Sequence, residues 1–78
     1  MISALVLVNT DLDSQEKVKE SLKQIEGVEE AHALYGVYDL IVKIKANSID
    51  KLKEINKLHI KQVAGVTSLL TLMIVEDS

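Results

Sequence analysis

Six consecutive residues, Tyr35-Gly36-Val37-Tyr38-Asp39-Leu40, carry the densest polar chemistry in this chain. They hold both of its aromatic residues, one of its three glycines and an acid at the head of an apolar run. A carboxylate there can accept charge-assisted hydrogen bonds from a ligand's ammonium group, or from backbone amides of its own turn. Read for shape alone, the stretch is a tight hairpin. Gly36 supplies the positive φ, tyrosine suits a strand, and Asp39 points to water.

Catalytic material is otherwise sparse. His32 and His59 lie far apart, and neither has a second ligand at metal spacing. Each reads as an ordinary surface or core-edge histidine. The three glycines, Gly27, Gly36 and Gly65, are too dispersed to form a phosphate loop. No Ser-His-acid set assembles. The expectation is a binding protein with no catalytic residue, no metal and no cofactor.

The elements that must position this hairpin follow from composition and pattern. The chain has 78 residues, enough for one domain with a modest core. It has no cysteine and no proline. Without disulfides or metal thiolates, oligomerisation is a natural route to stability for so small a protein. With two aromatic residues, both tyrosine, the core must be aliphatic. The Lys/Glu/Ile-rich composition fits a thermophile, or an AT-rich genome. No signal-peptide pattern or membrane-length apolar run is present, so a cytoplasmic protein is expected.

Ile2 to Val8 reads as a buried strand. Asp13 and Glu16 have capping-box spacing, and Val18, Leu22 and Ile25 form one face of the helix behind them. Gly27 stands at its C-terminal cap. Val28–Leu34 and Val37–Lys45 read as two strands joined at Gly36. Asn47 or Ser48 caps a second helix, whose inner stripe runs Ile49, Leu52, Ile55 or Asn56, His59 and Val63. Gly65 ends it, and Val66–Val75 is the last strand. "KQIEGV" from Lys23 and "KQVAGV" from Lys61 mark the same helix-to-strand corner in two βαβ halves. The predicted fold is α+β, a ferredoxin-like βαββαβ with one antiparallel sheet and both helices on one face.

Two helices cover one face only, yet the strands are apolar at consecutive positions, as strands buried on both sides are. Leu40, Val42 and Ile44 are expected to face the helices. The other face is assigned Ala31, Ala33, Ile41, Leu69 and Met73. It spans roughly 400 Å² in projection, from four strands about 4.8 Å apart and about 20 Å long. An exposed apolar patch of that kind predicts a homodimer stacked sheet to sheet.

This order, with Gly36-Val37-Tyr38-Asp39-Leu40 between the middle strands, resembles the RAM domain of Lrp/AsnC (feast/famine) transcriptional regulators. Residues 2 to 76 share the likeness. Its most specific part is the Gly-x-Tyr-Asp hairpin, followed by Gly65-Val66 and a last strand bearing Thr71. Leu69 stands where the family often has threonine. The resemblance implies a small amino acid bound by Tyr35, Gly36, Val37, Tyr38, Asp39 and Thr71, dimers that stack by their sheets, and assembly into larger oligomers. The family usually carries a helix-turn-helix before this domain, and here the chain opens on its first strand. A stand-alone effector-binding module is therefore expected, modulating a full-length Lrp/AsnC regulator. A small dimeric α+β-barrel enzyme and an ACT-type regulatory domain share the same element order and remain alternatives.

Nucleic acid and membrane are not expected as direct partners. The formal charge is −3 and all nine basic residues are lysine. Arginine, the usual reader of phosphate and guanine, is absent. A gel-shift titration at physiological salt should show no retained duplex DNA. Tight, salt-sensitive retention would contradict this reading.

Overall fold

The computed structural model describes residues 2–74. Strand β1 (Ile2–Thr10) leads to helix α1 (Gln15–Lys23), strands β2 (Val28–Ala33) and β3 (Leu40–Ala46), helix α2 (Ile49–Glu54) and strand β4 (Val66–Ile74). The strands form one antiparallel sheet in the order β2-β3-β1-β4. This is the expected ferredoxin-like βαββαβ fold. Val75, assigned to the last strand, lies outside the described residues. No helix among them is long and apolar enough to cross a membrane.

The core is wholly aliphatic. Ala4, Val6 and Val8 from β1 and Leu40, Val42 and Ile44 from β3 are sealed against Val18 and Leu22 of α1 and against Leu52, Ile55 and Ile60. Directly paired residues of neighbouring strands share a face. Ala31 pairs with Val42, Ala33 with Leu40, Leu69 with Val8 and Met73 with Ala4. All four therefore belong to the helix side of the sheet, not to the open face assigned them from sequence. Ala31 is buried there, Leu69 packs on the core, and Ala33 and Met73 lie exposed at the two edges. Of the expected set only Ile41 is on the open face, with Leu5, Leu7, Leu70 and Leu72. A run apolar at every position does not reveal which parity points inward; pairing with β1 decides it.

Two local expectations also change. Asp13 does not cap α1: it adopts φ 68°, and Ser14 is the N-cap residue without a side-chain bond. Beyond α2 the chain continues as a π-helical segment, Ile55–Ile60, in which the Lys61 N–H donates to the Asn56 carbonyl at 3.0 Å. Five-residue spacing brings Ile55 and Ile60 to the core together. A 3.6-residue stripe predicts His59 there; it is exposed instead, and Ile49 is half exposed. Ser48 caps α2 as expected, accepting from the Lys51 N–H.

The repeated corner is real in three dimensions. In each half the N–H of the valine after glycine donates to the carbonyl three residues back, Val28 to Ile25 and Val66 to Val63, both at 3.1 Å. Gly27 and Gly65 both have φ +100°. Each glycine abuts the helix of the opposite half. A Cβ on Gly65 would stand 2.8 Å from Val18 Cγ2; one on Gly27 would stand 2.6 Å from Ile55 Cδ1 and 3.3 Å from the Lys45 carbonyl. Val18 is stiff at χ1, whereas the Ile55 terminus can swing aside. A Cβ on Gly36 would meet nothing within 4 Å. Alanine substitution should therefore destabilise most at Gly65, less at Gly27 and least at Gly36. Backbone strain at positive φ contributes about 1–3 kcal/mol in each case. Urea unfolding midpoints of the three variants check that order.

Candidate functional site

The hairpin is wider than its single glycine predicts. β2 ends at Ala33 and β3 starts at Leu40, so Val37 to Asp39 are loop rather than strand. The Leu34 N–H closes the loop by donating to the Asp39 carbonyl at 2.8 Å. Tyr35 and Val37 project into solvent, and Gly36 at the tip has φ +136°. With no neighbour near its Cα, the tip presents bare backbone.

Asp39 anchors the base of this loop. Its N–H donates to the Val8 carbonyl at 3.0 Å. Its Oδ2 accepts from the Thr10 backbone N–H at 2.8 Å and from Thr10 Oγ1 at 3.4 Å. Gln15 Nε2 at the start of α1 donates to the Asp39 carbonyl at 2.7 Å and to the Leu34 carbonyl at 3.3 Å. The carboxylate thus terminates β1, whose last N–H would otherwise lack an acceptor on that side. Oδ1 makes no hydrogen bond within the described residues.

Between the hairpin base and the β1–α1 loop lies a cleft of about 480 Å³. Asp11, Asp13, Glu16 and Asp39 contribute carboxylates to it, with Thr10 and Gln15, and no lysine lines it. Such a wall attracts a cationic group. In sequence, the stretch between β1 and α1 shows only the capping-box spacing of Asp13 and Glu16. Its dense polar run, Asn9 to Glu16, was the available signal, but nothing in sequence joins it to a hairpin more than twenty residues away.

Thr71 is not part of this cluster. It pairs with Val6 on β4, and β1 lies between β4 and β3. Its Oγ1 is buried on the helix side with no hydrogen-bond partner, as is Asn56 Oδ1. Within one subunit the structure brings together Tyr35 to Asp39 and leaves Thr71 apart.

Neither histidine faces a cavity between sheet and helices. His32 Nε2 lies 2.9 Å from Glu30 Oε1 on the open face, and this contact holds the Glu30 carboxyl below the usual range. His59 is exposed beside a shallow groove with Gln24, Glu26 and Lys51. Among the described residues no polar or charged residue is buried as a whole, and no three potential ligands converge as a metal site would need.

Comparison with known proteins agrees with this geometry. The Lrp/AsnC ligand binding domain matches residues 3–77. An uncharacterised HTH-type transcriptional regulator of Pyrococcus horikoshii is 30% identical over 74 residues, which are 91% of this chain and 49% of that protein. The chain thus spans about half the length of the curated relatives it matches. A hypothetical protein of Pyrococcus horikoshii has a similar crystal structure, with a TM-score of 0.91, 27% identity and coverage of 99% of this chain and 93% of that one. A Neisseria meningitidis transcriptional regulator, solved as a complex with L-methionine, shares the fold at a TM-score of 0.85 and 15% identity, over 97% of this chain and 51% of that one. Fold, hairpin and sequence together make the chain a member of the Lrp/AsnC ligand binding domain family.

Proposed function

We propose that this domain is an amino-acid sensor, with its effector held at the Gly36 hairpin and a second copy of the chain on its open sheet face. The carrying observation is the base of the hairpin, where Asp39 stands beside an acid-lined cleft with Oδ1 still free to accept. The ligand's ammonium group pairs with that oxygen, and such ionic hydrogen bonds are the strong ones. The bare backbone at Gly36 gives the ligand's carboxylate access to main-chain N–H groups. The L-methionine complex of the Neisseria regulator, which has the same fold, supports this class of ligand.

Tyr35, Val37 and Leu12 stand exposed at this end of the molecule. They give a second dimer something to grip, which would close the cleft over the effector. Thr71 is too far from the hairpin to complete the site within one subunit, so any role for it is in a neighbouring one. The matched relatives are HTH-type transcriptional regulators. The regulatory output is accordingly a change in how this domain assembles with a DNA-binding regulator of the same family.

Asp39 has two separable roles, and two substitutions divide them. Asp39→Ala removes the acceptor for the Thr10 N–H and should lower stability by about 1 kcal/mol, read from the urea midpoint. Asp39→Asn keeps an acceptor and should unfold close to wild type. Calorimetry across the twenty amino acids should find binding to wild type that Asp39→Asn loses, since the charge is gone. No heat with any amino acid, or equal affinity in Asp39→Asn, would reject the sensor reading.

A further inference from the structure

The stripe that α1 turns to the core is apolar at Val18 and Leu22 and polar at its N-terminal end. Gln15, three residues before Val18, falls on the same side of the helix. An apolar residue there would simply extend the core. An amide on that side costs desolvation unless its N–H groups find acceptors. Its nitrogen does find them, and both belong to the hairpin. Nε2 lies 2.7 Å from the Asp39 carbonyl and 3.3 Å from the Leu34 carbonyl. An amide nitrogen carries two hydrogens, one for each of these oxygens.

Leu34 and Asp39 are the two ends of the hairpin loop. The tip of that loop is free of packing. Tyr35 and Val37 stand in solvent, and a Cβ on Gly36 would meet no atom within 4 Å. Its shape is therefore set at the ends. There the Leu34 N–H closes on the Asp39 carbonyl, and Asp39 is held to β1 through Val8 and Thr10. These bonds run within the loop and the sheet. Among the described residues, Gln15 alone reaches the loop from the helix layer, and no other side chain bonds to both of its ends.

We infer that Gln15 is the positioning residue of the effector site, its amide clamping both ends of the hairpin loop to α1. The inference rests on the sensor reading above and adds the group that shapes its site. In that reading the ligand bridges Asp39 and the backbone at Gly36, so its affinity depends on the distance between them. A loop held in its binding shape beforehand spares the ordering cost when the ligand arrives. Gln15 also lines the acid-lined cleft beside Asp39.

Two substitutions of similar length separate a clamp from an electrostatic role. Methionine suits the apolar stripe and has no donor. Glutamate has the shape of glutamine but turns acceptors toward two carbonyl oxygens. It also adds charge to a cleft that already holds Asp11, Asp13, Glu16 and Asp39. If attraction of an ammonium group were the whole of binding, Gln15→Glu would bind more tightly. A clamp requires both variants to bind more weakly.

The first measurement needs no ligand. Amide hydrogen exchange at Leu34 should be about tenfold faster in Gln15→Met and Gln15→Glu, the effect of about one hydrogen bond, while the core amides of β1 and β3 keep their rates. Gln15→Glu carries the test if Gln15→Met does not fold. Unchanged exchange at Leu34 overturns the inference, whatever binds. Calorimetry across the twenty amino acids should then show about tenfold weaker affinity in both variants than in wild type. Wild-type affinity in either variant, or tighter binding in Gln15→Glu, overturns the positioning role. If no amino acid binds wild type, the sensor reading fails, and exchange at Leu34 still decides whether Gln15 clamps the loop.

Discussion

A four-stranded sheet carrying two helices has one dry face and one uncovered face, and most of this molecule answers to that asymmetry. The dry side is filled by aliphatic side chains of alternate parity from β1 and β3, the two central strands. Among the described residues, no aromatic ring and no wholly buried polar residue helps to fix it. Orientation comes instead from the glycine corners. Each corner presses its bare Cα on the helix of the other half, Gly65 on Val18 and Gly27 near Ile55. The glycine carbonyls extend the same lock, Gly65 accepting from the Asp11 N–H and Gly27 from the Lys45 N–H. The two βαβ halves therefore hold one another in place through close backbone approach, which only glycine permits at these φ values.

The end of the sheet that bears the hairpin is tied together by a single loop. From the end of β1 to the start of α1, Thr10 bonds to the Asp39 carboxylate, Asp11 to the Gly65 corner, and Gln15 to the hairpin carbonyls. Asp39 is thus a structural acceptor and a free carboxylate oxygen at once. A group that already terminates a strand is well fixed, and a fixed acceptor binds a ligand without losing side-chain entropy of its own. The hairpin tip, by contrast, makes few contacts.

The wet side carries the opposite logic. Its charged half is self-paired at the β2 edge, and its apolar half lies across β1 and β4. β4 has no charged residue and no proline along its nine residues, although it is an edge strand. Edges of that kind are usually guarded. Here the leucines beside the edge belong to the same uncovered half.

What the sequence alone determined is the set of local signals. Element order follows from runs of apolar residues broken by glycine and polar stretches. The paired "KQ…GV" corners follow from a turn that requires positive φ, a demand written in one residue. The Ser48 cap and the Val18–Leu22 stripe are local for the same reason. Strand parity is not local. "LLTLMI" is apolar on both sides, and pairing with β1, more than sixty residues earlier, turns Leu69, Thr71 and Met73 inward and Leu70 and Leu72 outward. The π-helical turn at Ile55–Ile60 escaped the 3.6-residue pattern because the need to bury Ile60 outweighed the ordinary helical spacing. The Asp39–Thr10–Gln15 linkage, too, exists only once the sheet brings β1 and β3 side by side. Backbone hydrogen bonding between distant strands sets these features, and no window of neighbouring residues contains it.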